Sequence, residues 1–187
     1  MQTFEEERRE EIIGGKVVVM LSPTLNHNYV TGNLYVLFRN YLDKTSYDTI
    51  PGGTTLFLED DVEEYKPDMM VVCDPEKLKM DGIHGAPDLV VEVLSPKTAR
   101  NDRGFKKDAY ERHGVREYWI VSPAERTIEQ YVLRDGRFVL HNVYAQFPQF
   151  MLDDMTEEER AAVVTEFQSV LFDDLTIRLE DVFKRVT

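Results

Sequence analysis

Glu92 is the residue from which a chemical reading of this sequence begins. It lies inside the apolar run Leu89-Val90-Val91-Glu92-Val93-Leu94, whose β-branched content predicts a strand buried on both faces. An ionised carboxylate in such a strand is costly unless a cation, a metal ion or water compensates it. A second acid, Asp68, stands at the entry to another apolar run, residues 69–73. Carboxylates placed this way are the oxygen donors that a hard divalent cation such as Mg²⁺ prefers. Beyond Glu92, Ser95-Pro96 ends the strand. Asp102, Lys106 and Tyr110 then follow at four-residue spacing, hence on one helix face. A buried acid, with a lysine returned towards it by the next helix, is a pattern that points to phosphodiester chemistry.

Each of these residues also has a plainer reading. Asp68 alone is a turn residue before a strand, and Lys106 alone is a surface lysine paired with Asp102 at i,i+4. Tyr110 alone is a packing residue. Glu11, in a first hairpin, faces solvent by default, and His27, near a helix start, is more often a structural hydrogen-bonder than a ligand. Asp88 shares the sheet face of Glu92, but four residues of strand separate them by ~13 Å, too far for one ion. The sequence holds no Cys/His cluster with zinc spacing, no phosphate-binding glycine loop and no nucleophile elbow.

The elements that must position these residues follow from periodicity. Thr3 and Glu6 form a capping-box pattern that predicts a short helix over residues 3–9. Residues 10–13 and 16–20 flank Gly14-Gly15 as a hairpin. From about Asn26 to Asp43, Val30, Leu34, Leu37, Phe38, Tyr41 and Leu42 form one helical stripe. Residues 47–50 and 54–58 read as strands around Pro51-Gly52-Gly53. Residues 59–66 read as a solvated acidic loop, and 74–85 as an exposed, mobile connection. The helix after Glu92 stops at His113-Gly114. A strand over 117–121 follows, then a hairpin of 127–133 and 137–141. Helices are expected over 157–171 and 179–186. Strands on both sides of the helix after Glu92 require an α/β sheet with a crossover. No repeat or linker interrupts the chain, so residues 1–187 read as one domain.

With 187 residues, 42% of them hydrophobic, the chain can bury a sizeable core. The single cysteine, Cys73, excludes a disulfide framework and fits a reducing cytoplasm. No apolar run is as long as a membrane span, and the acidic start is not a signal peptide; a soluble, cytoplasmic protein is expected. The net charge of -13 argues against tight nonspecific nucleic-acid binding, which needs a basic footprint. Locally the balance reverses: residues 97–116 hold seven Lys or Arg against three acids, which permits a phosphate-bearing substrate. Tyr131, Phe138, Tyr144, Phe147 and Phe150 make a large apolar set for a terminal hairpin, and a homodimer interface is the expectation drawn from it; packing under a C-terminal helix is the alternative.

Taken together, EIIGGKVVVMLSP with His27 after it, PDMMVVC, PDLVVEVLSP, DRGFKKDAY and GVREYWIVSP resemble the Uma2 family of restriction-endonuclease-like proteins with the PD-(D/E)XK nuclease fold. The likeness covers about residues 11–140. It implies a mixed central β-sheet flanked by helices, with additional β-hairpins, and a Mg²⁺- or Mn²⁺-dependent site acting on DNA. By position, Asp68 and Glu92 would hold the metal, Lys106 would be a migrated catalytic lysine and Glu11 a supporting acid. Lys97, Arg103, Tyr110 and His27 would meet the substrate. Two departures stand out. Leu94 occupies the place of the lysine expected two residues after the acid, so either Lys106 or Lys97 must replace it. The acidic segment from about 151 to 187 carries no family motif and reads as a helical elaboration. A nuclease fold without activity, serving as a protein-binding or assembly module, is the competing reading.

Overall fold

The computed structural model describes residues 10–19, 22–60 and 62–187. The helix expected over residues 3–9, and Met20 at the end of the first hairpin, lie outside them. The described residues form thirteen strands: β1 (Glu10–Ile13), β2 (Lys16–Val19), β3 (Asp48–Pro51), β4 (Leu56–Glu59), β5 (Glu63–Tyr65), β6 (Met69–Val72), β7 (Ile83–His84), β8 (Leu89–Val93), β9 (Glu117–Ser122), β10 (Thr127–Arg134), β11 (Arg137–Ala145), β12 (Glu166–Ser169) and β13 (Phe172–Arg178). Two helices matter for function. One is α1 (Leu25–Leu42). The other, α2, is a continuous helical segment over residues 99–113.

The central sheet has the order β11-β10-β9-β8-β6-β3. Its β8–β9 pair is parallel, and α2 makes the crossover that a parallel pair requires. Side-chain alternation splits the core in two. Met69, Val71, Leu89, Val91, Val93, Trp119 and Val121 face α1, packing with Val30, Leu34 and Phe38. Met70, Val72, Val90, Tyr118 and Ile120 face α2, packing with Ala109 and Tyr110. Glu92 has the parity of Val90 and therefore points to the α2 side. A second sheet, β2-β1-β5-β4-β7, carries the N-terminal hairpin towards that same side.

Five sequence expectations change. The acidic loop over 59–66 contains β5, whose Glu63 and Tyr65 are buried. Glu63 tolerates burial because Arg112 and His113 both reach its carboxylate. The connection over 74–85 is tied down. Ile83 N–H donates to Thr55 O at 2.9 Å and Gly85 N–H to Phe57 O at 2.8 Å. At Gly82, a Cβ would stand 2.2 Å from Thr55 O, so only glycine fits that approach. The helix expected over 157–171 stops after Glu157–Ala161, and the β12–β13 hairpin takes over. Phe167, Phe172, Leu175 and Ile177 turn inwards there; Ala161, Val164, Phe167 and Leu171 have the spacing of a helix face in the sequence, but only Ala161 lies in a helix. The final helix is one turn, Leu179–Val182. The aromatic residues read as an interface are partly internal: Phe138 and Tyr144 are buried, and Tyr144 stacks on Phe167 with ring centroids 4.1 Å apart. Phe147 and Phe150 are exposed.

A second buried acid holds the β12–β13 hairpin to the sheet. Glu117 is fully buried and accepts hydrogen bonds from Trp119 Nε1, Gln130 Nε2 and Ser169 Oγ, each at 2.7 Å, and from Leu171 N–H at 3.3 Å. Glu117→Ala removes one acceptor from all four donors, and loss of such a buried network costs about 3 kcal/mol or more. Urea denaturation should show that loss, with Glu117→Gln milder; a change below about 1 kcal/mol would mean the hairpin is held by apolar packing alone.

Candidate active site

The site forms where α1, the ends of β6 and β8, and α2 meet. Thr24 caps α1, its hydroxyl accepting from His27 N–H at 3.2 Å, as Thr does at a helix N-terminus. This fixes His27 in the first turn, where its Nε2 lies 3.1 Å from Asp68 Oδ1. Asp68 precedes β6. The antiparallel register pairs Met69 with Val91, so one step further Asp68 stands opposite Glu92, on the same face of the sheet. Directly opposed residues have Cβ atoms about 4.5–5.5 Å apart. Val93 N–H donates to Asp68 Oδ2 at 2.7 Å, which locks the first acid to the strand bearing the second. Gly52 lies against this corner: a Cβ there would come within 3.1 Å of Asp68 O.

Within α2, residues Asp102–Lys106 form a π-helical turn, a feature often found at functional sites. The wider turn directs Asp102 and Lys106 together into the interior, and each is no more than 2% exposed. Lys106 Nζ lies 2.8 Å from Glu11 Oε1, 3.0 Å from Glu92 Oε1 and 3.6 Å from Asp102 Oδ1. Tyr110 OH donates to the same Glu92 Oε1 at 2.7 Å. Glu11 Oε1 also accepts from Lys66 N–H at 2.8 Å.

Burial disfavours the Lys106 ammonium, but Glu92, Glu11 and Asp102 outweigh it and hold its pKa well above the ordinary lysine value. Burial pushes Glu92 well up, Lys106 opposing and Asp102, Asp68 and Glu11 reinforcing. Asp102 is likewise raised by burial, against Lys106. One ammonium thus serves three buried acids. The group is richer in carboxylates than in positive charge.

A cavity of about 460 Å³ opens beside these groups, lined by Glu11, His27, Lys66, Asp68, Glu92, Lys97, Asp102 and Lys106 among others. Four carboxylates line it, and buried Asp102 Oδ1 and His27 Nδ1 have no hydrogen-bond partner among the described residues. This chemistry fits a hard divalent cation completed by water or phosphate oxygens. Among the described residues, one His/Asp/Glu set brings three ligand atoms within 4.8 Å of one another, and it lies elsewhere: Glu59, Glu63 and His113. There Glu63 is already engaged by Arg112 and His113.

The structure thus brings together Glu11, His27, Asp68, Glu92, Lys106 and Tyr110. Lys97 lies on the exposed rim of the cavity. Arg103 does not join them: its guanidinium is held by Glu129, with Nη2 to Oε1 at 2.6 Å. Tyr110, fully buried behind Glu92, positions that carboxylate and has no surface for a substrate. Sequence reasoning saw Asp102 only as the partner of Lys106 and missed Lys66. The i,i+4 spacing from Lys106 was the one available signal for Asp102 as a buried acid. The basic run over 97–116 is largely engaged within the protein, Arg103 by Glu129, Arg112 by Glu63 and Arg116 by Asp88.

The mixed sheet flanked by helices, with Glu92 on β8, Asp68 just before β6 and Lys106 on the crossover helix, makes this an α/β fold. The chain belongs to the Uma2 family, described as "Putative restriction endonuclease", whose profile matches residues 1–164. It is 34% identical over 148 residues to the uncharacterized protein slr1290 of Synechocystis sp., covering 76% of this chain and 77% of that one. To the uncharacterized protein sll1609 of the same organism it is 26% identical over 126 residues, covering 66% and 71%. Among solved structures it is similar to one described as a putative nuclease belonging to DUF820 from Anabaena variabilis. The TM-score is 0.72 at 17% identity, over 98% of this chain and 94% of the other. At that identity the likeness concerns the fold.

The His27–Asp68 pair carries a pH signature. Burial lowers the His27 pKa, but the hydrogen bond and charge of Asp68 outweigh it, leaving the pKa above the ordinary 6.5. A raised folded-state pKa contributes stability that is full below the unfolded value and fades as pH rises through the folded one. NMR titration should place His27 above 6.5, and Asp68→Asn should lower it, because burial is then opposed only by Asn28 and the charge of Asp102. An unchanged His27 titration in Asp68→Asn would show that the pair does not govern it.

Proposed function

We propose that this protein is a Mg²⁺- or Mn²⁺-dependent nuclease that hydrolyses phosphodiester bonds in DNA. The reading rests on one observation above all: Asp68 stands opposite Glu92 across neighbouring strands, and the Lys106 ammonium touches Glu92 in the same cavity. Membership of a restriction-endonuclease family and a nuclease-like fold support it.

In this reading Asp68 and Glu92 hold the cation. Such a cation lowers the pKa of bound water and neutralises charge on the phosphate. Lys106 orients the attacking water or donates to a phosphate oxygen, in place of the in-strand lysine that Leu94 cannot supply. Glu11 keeps Lys106 protonated and aimed into the cavity. His27 and Val93 N–H hold Asp68 in a single orientation. Lys97, on the rim, meets the phosphate backbone.

The second reading, a nuclease fold retained as a protein-binding or assembly module, is favoured by the net charge of -13 and by the engagement of most nearby arginines in internal ion pairs. Cleavage of supercoiled and single-stranded DNA with Mg²⁺ or Mn²⁺ separates the two. Wild type should cut, while Glu92→Gln and Lys106→Ala should each lose on the order of 10²-fold or more in rate, the usual effect of deleting a group that stabilises the transition state. Activity that survives both substitutions would place the chemistry elsewhere or in a contaminant. Inactivity of the wild type with both metals and both substrates would favour the module.

A further inference from the structure

Lys106 presents a difficulty for any cation-binding reading of this site. Its ammonium already occupies Glu92 Oε1, at 3.0 Å, in a pocket where both side chains are nearly inaccessible. A divalent cation drawing on the same carboxylate meets a resident positive charge. A lysine expelled to bulk water would have to break its contact with Glu11 as well, at 2.8 Å.

The helix supplies another acceptor. Asp102 Oδ1 is buried, lacks a hydrogen-bond partner among the described residues and lies 3.6 Å from the same Nζ. Buried polar atoms without partners are rare and call for an explanation. A charge-assisted N–H···O contact is about 2.7–2.9 Å long, so a shift of the ammonium by under about 1 Å completes a bond to Asp102. The π-helical turn that holds residues 102 and 106 together makes this move possible without displacing the helix.

Resting on the assignment of Asp68 and Glu92 as cation ligands, we propose that Asp102 is the alternate seat of the Lys106 ammonium. As a cation takes Glu92, Lys106 passes from Glu92 Oε1 to Asp102 Oδ1 while keeping Glu11, and it remains beside the substrate phosphate. Asp102 is thus a positioning residue acting through Lys106.

The test is a Mn²⁺-binding cycle on the full chain, with free Mn²⁺ counted by electron paramagnetic resonance and folding checked by thermal melting. The proteins are wild type, Asp102→Asn, Lys106→Met and the double variant, with Asp68→Asn as control. Asp102→Asn should weaken Mn²⁺ binding roughly tenfold in the wild-type background, within the usual range of coupling between sites. In the Lys106→Met background the same change should cost less than about twofold, because no ammonium needs a new partner. Lys106→Met alone should bind Mn²⁺ at least as tightly as wild type, since the competing cation is gone. An equal loss from Asp102→Asn in both backgrounds would overturn the proposal and make Asp102 a direct ligand or a general source of negative charge. No loss in the wild-type background would overturn it too. In either case, binding by the wild type that Asp68→Asn abolishes would leave the cation-ligand assignment standing. Absence of Mn²⁺ binding by wild type would overturn both.

Discussion

A carboxylate in the middle of a buried strand governs this molecule. Glu92 cannot be left alone there, because an unpaired charge in a packed interior is far more costly than any single contact around it is favourable. Three things in the structure answer that constraint: the ammonium of Lys106, the hydroxyl of Tyr110, and an aqueous cavity at the strand end. The route of the chain follows from them. The crossover between β8 and β9 must be a helix that brings residues 106 and 110 back over residue 92. The N-terminal hairpin must reach across to add Glu11 to the same ammonium.

The same rule operates elsewhere with different partners. Glu63, buried in a short strand, is met by Arg112 and His113. Glu117, buried on the opposite face of the sheet, is met by neutral donors alone. The three acids therefore differ in what can follow. Glu63 and Glu117 are satisfied by fixed protein groups and serve architecture. Glu92 shares its lysine with other acids and borders an open cavity, so its partners are less fixed than those of the other two. This also tempers the positive charge seen along residues 97–116. Several of those arginines balance internal or half-buried acids, so the strongly acidic surface keeps most of its net charge.

The site was more legible in the sequence than its surroundings. Asp68, Glu92 and Lys106 stood out because each breaks an apolar or helical pattern in a way that needs compensation, and periodicity alone put Lys106 and Tyr110 on one face. The α1 stripe of Val30, Leu34 and Phe38 and the buried strands β6, β8 and β9 were equally plain. What was lost depended on distant partners. Glu63 reads as one acid among many until the residues 49 and 50 positions later are seen beside it. Arg103 looked available for a substrate because nothing local shows that Glu129 captures it. The β12 strand was mistaken for the end of a helix because Phe167 and Leu171 fit either period, and the deciding interaction, with Glu117, lies more than fifty residues upstream. The π-turn of α2 has no sequence signature that distinguishes it from an ordinary turn.

The helix α1 closes its core with residues that come very late in the chain. Phe167, Phe172, Ile177, Val182 and Phe183 share its apolar cluster. Asn33 on α1 donates to the backbone carbonyl of Val182, 149 residues away. During synthesis, therefore, α1 leaves the ribosome long before the last part of the surface that covers it exists. At ordinary elongation speeds of about 5–20 residues per second, the delay is on the order of ten seconds. For that interval its stripe of Val30, Leu34, Phe38 and Leu42 is a substrate for chaperones or a site of mispairing between nascent chains. The central strands cover most of that stripe, and the C-terminal residues close the remainder last.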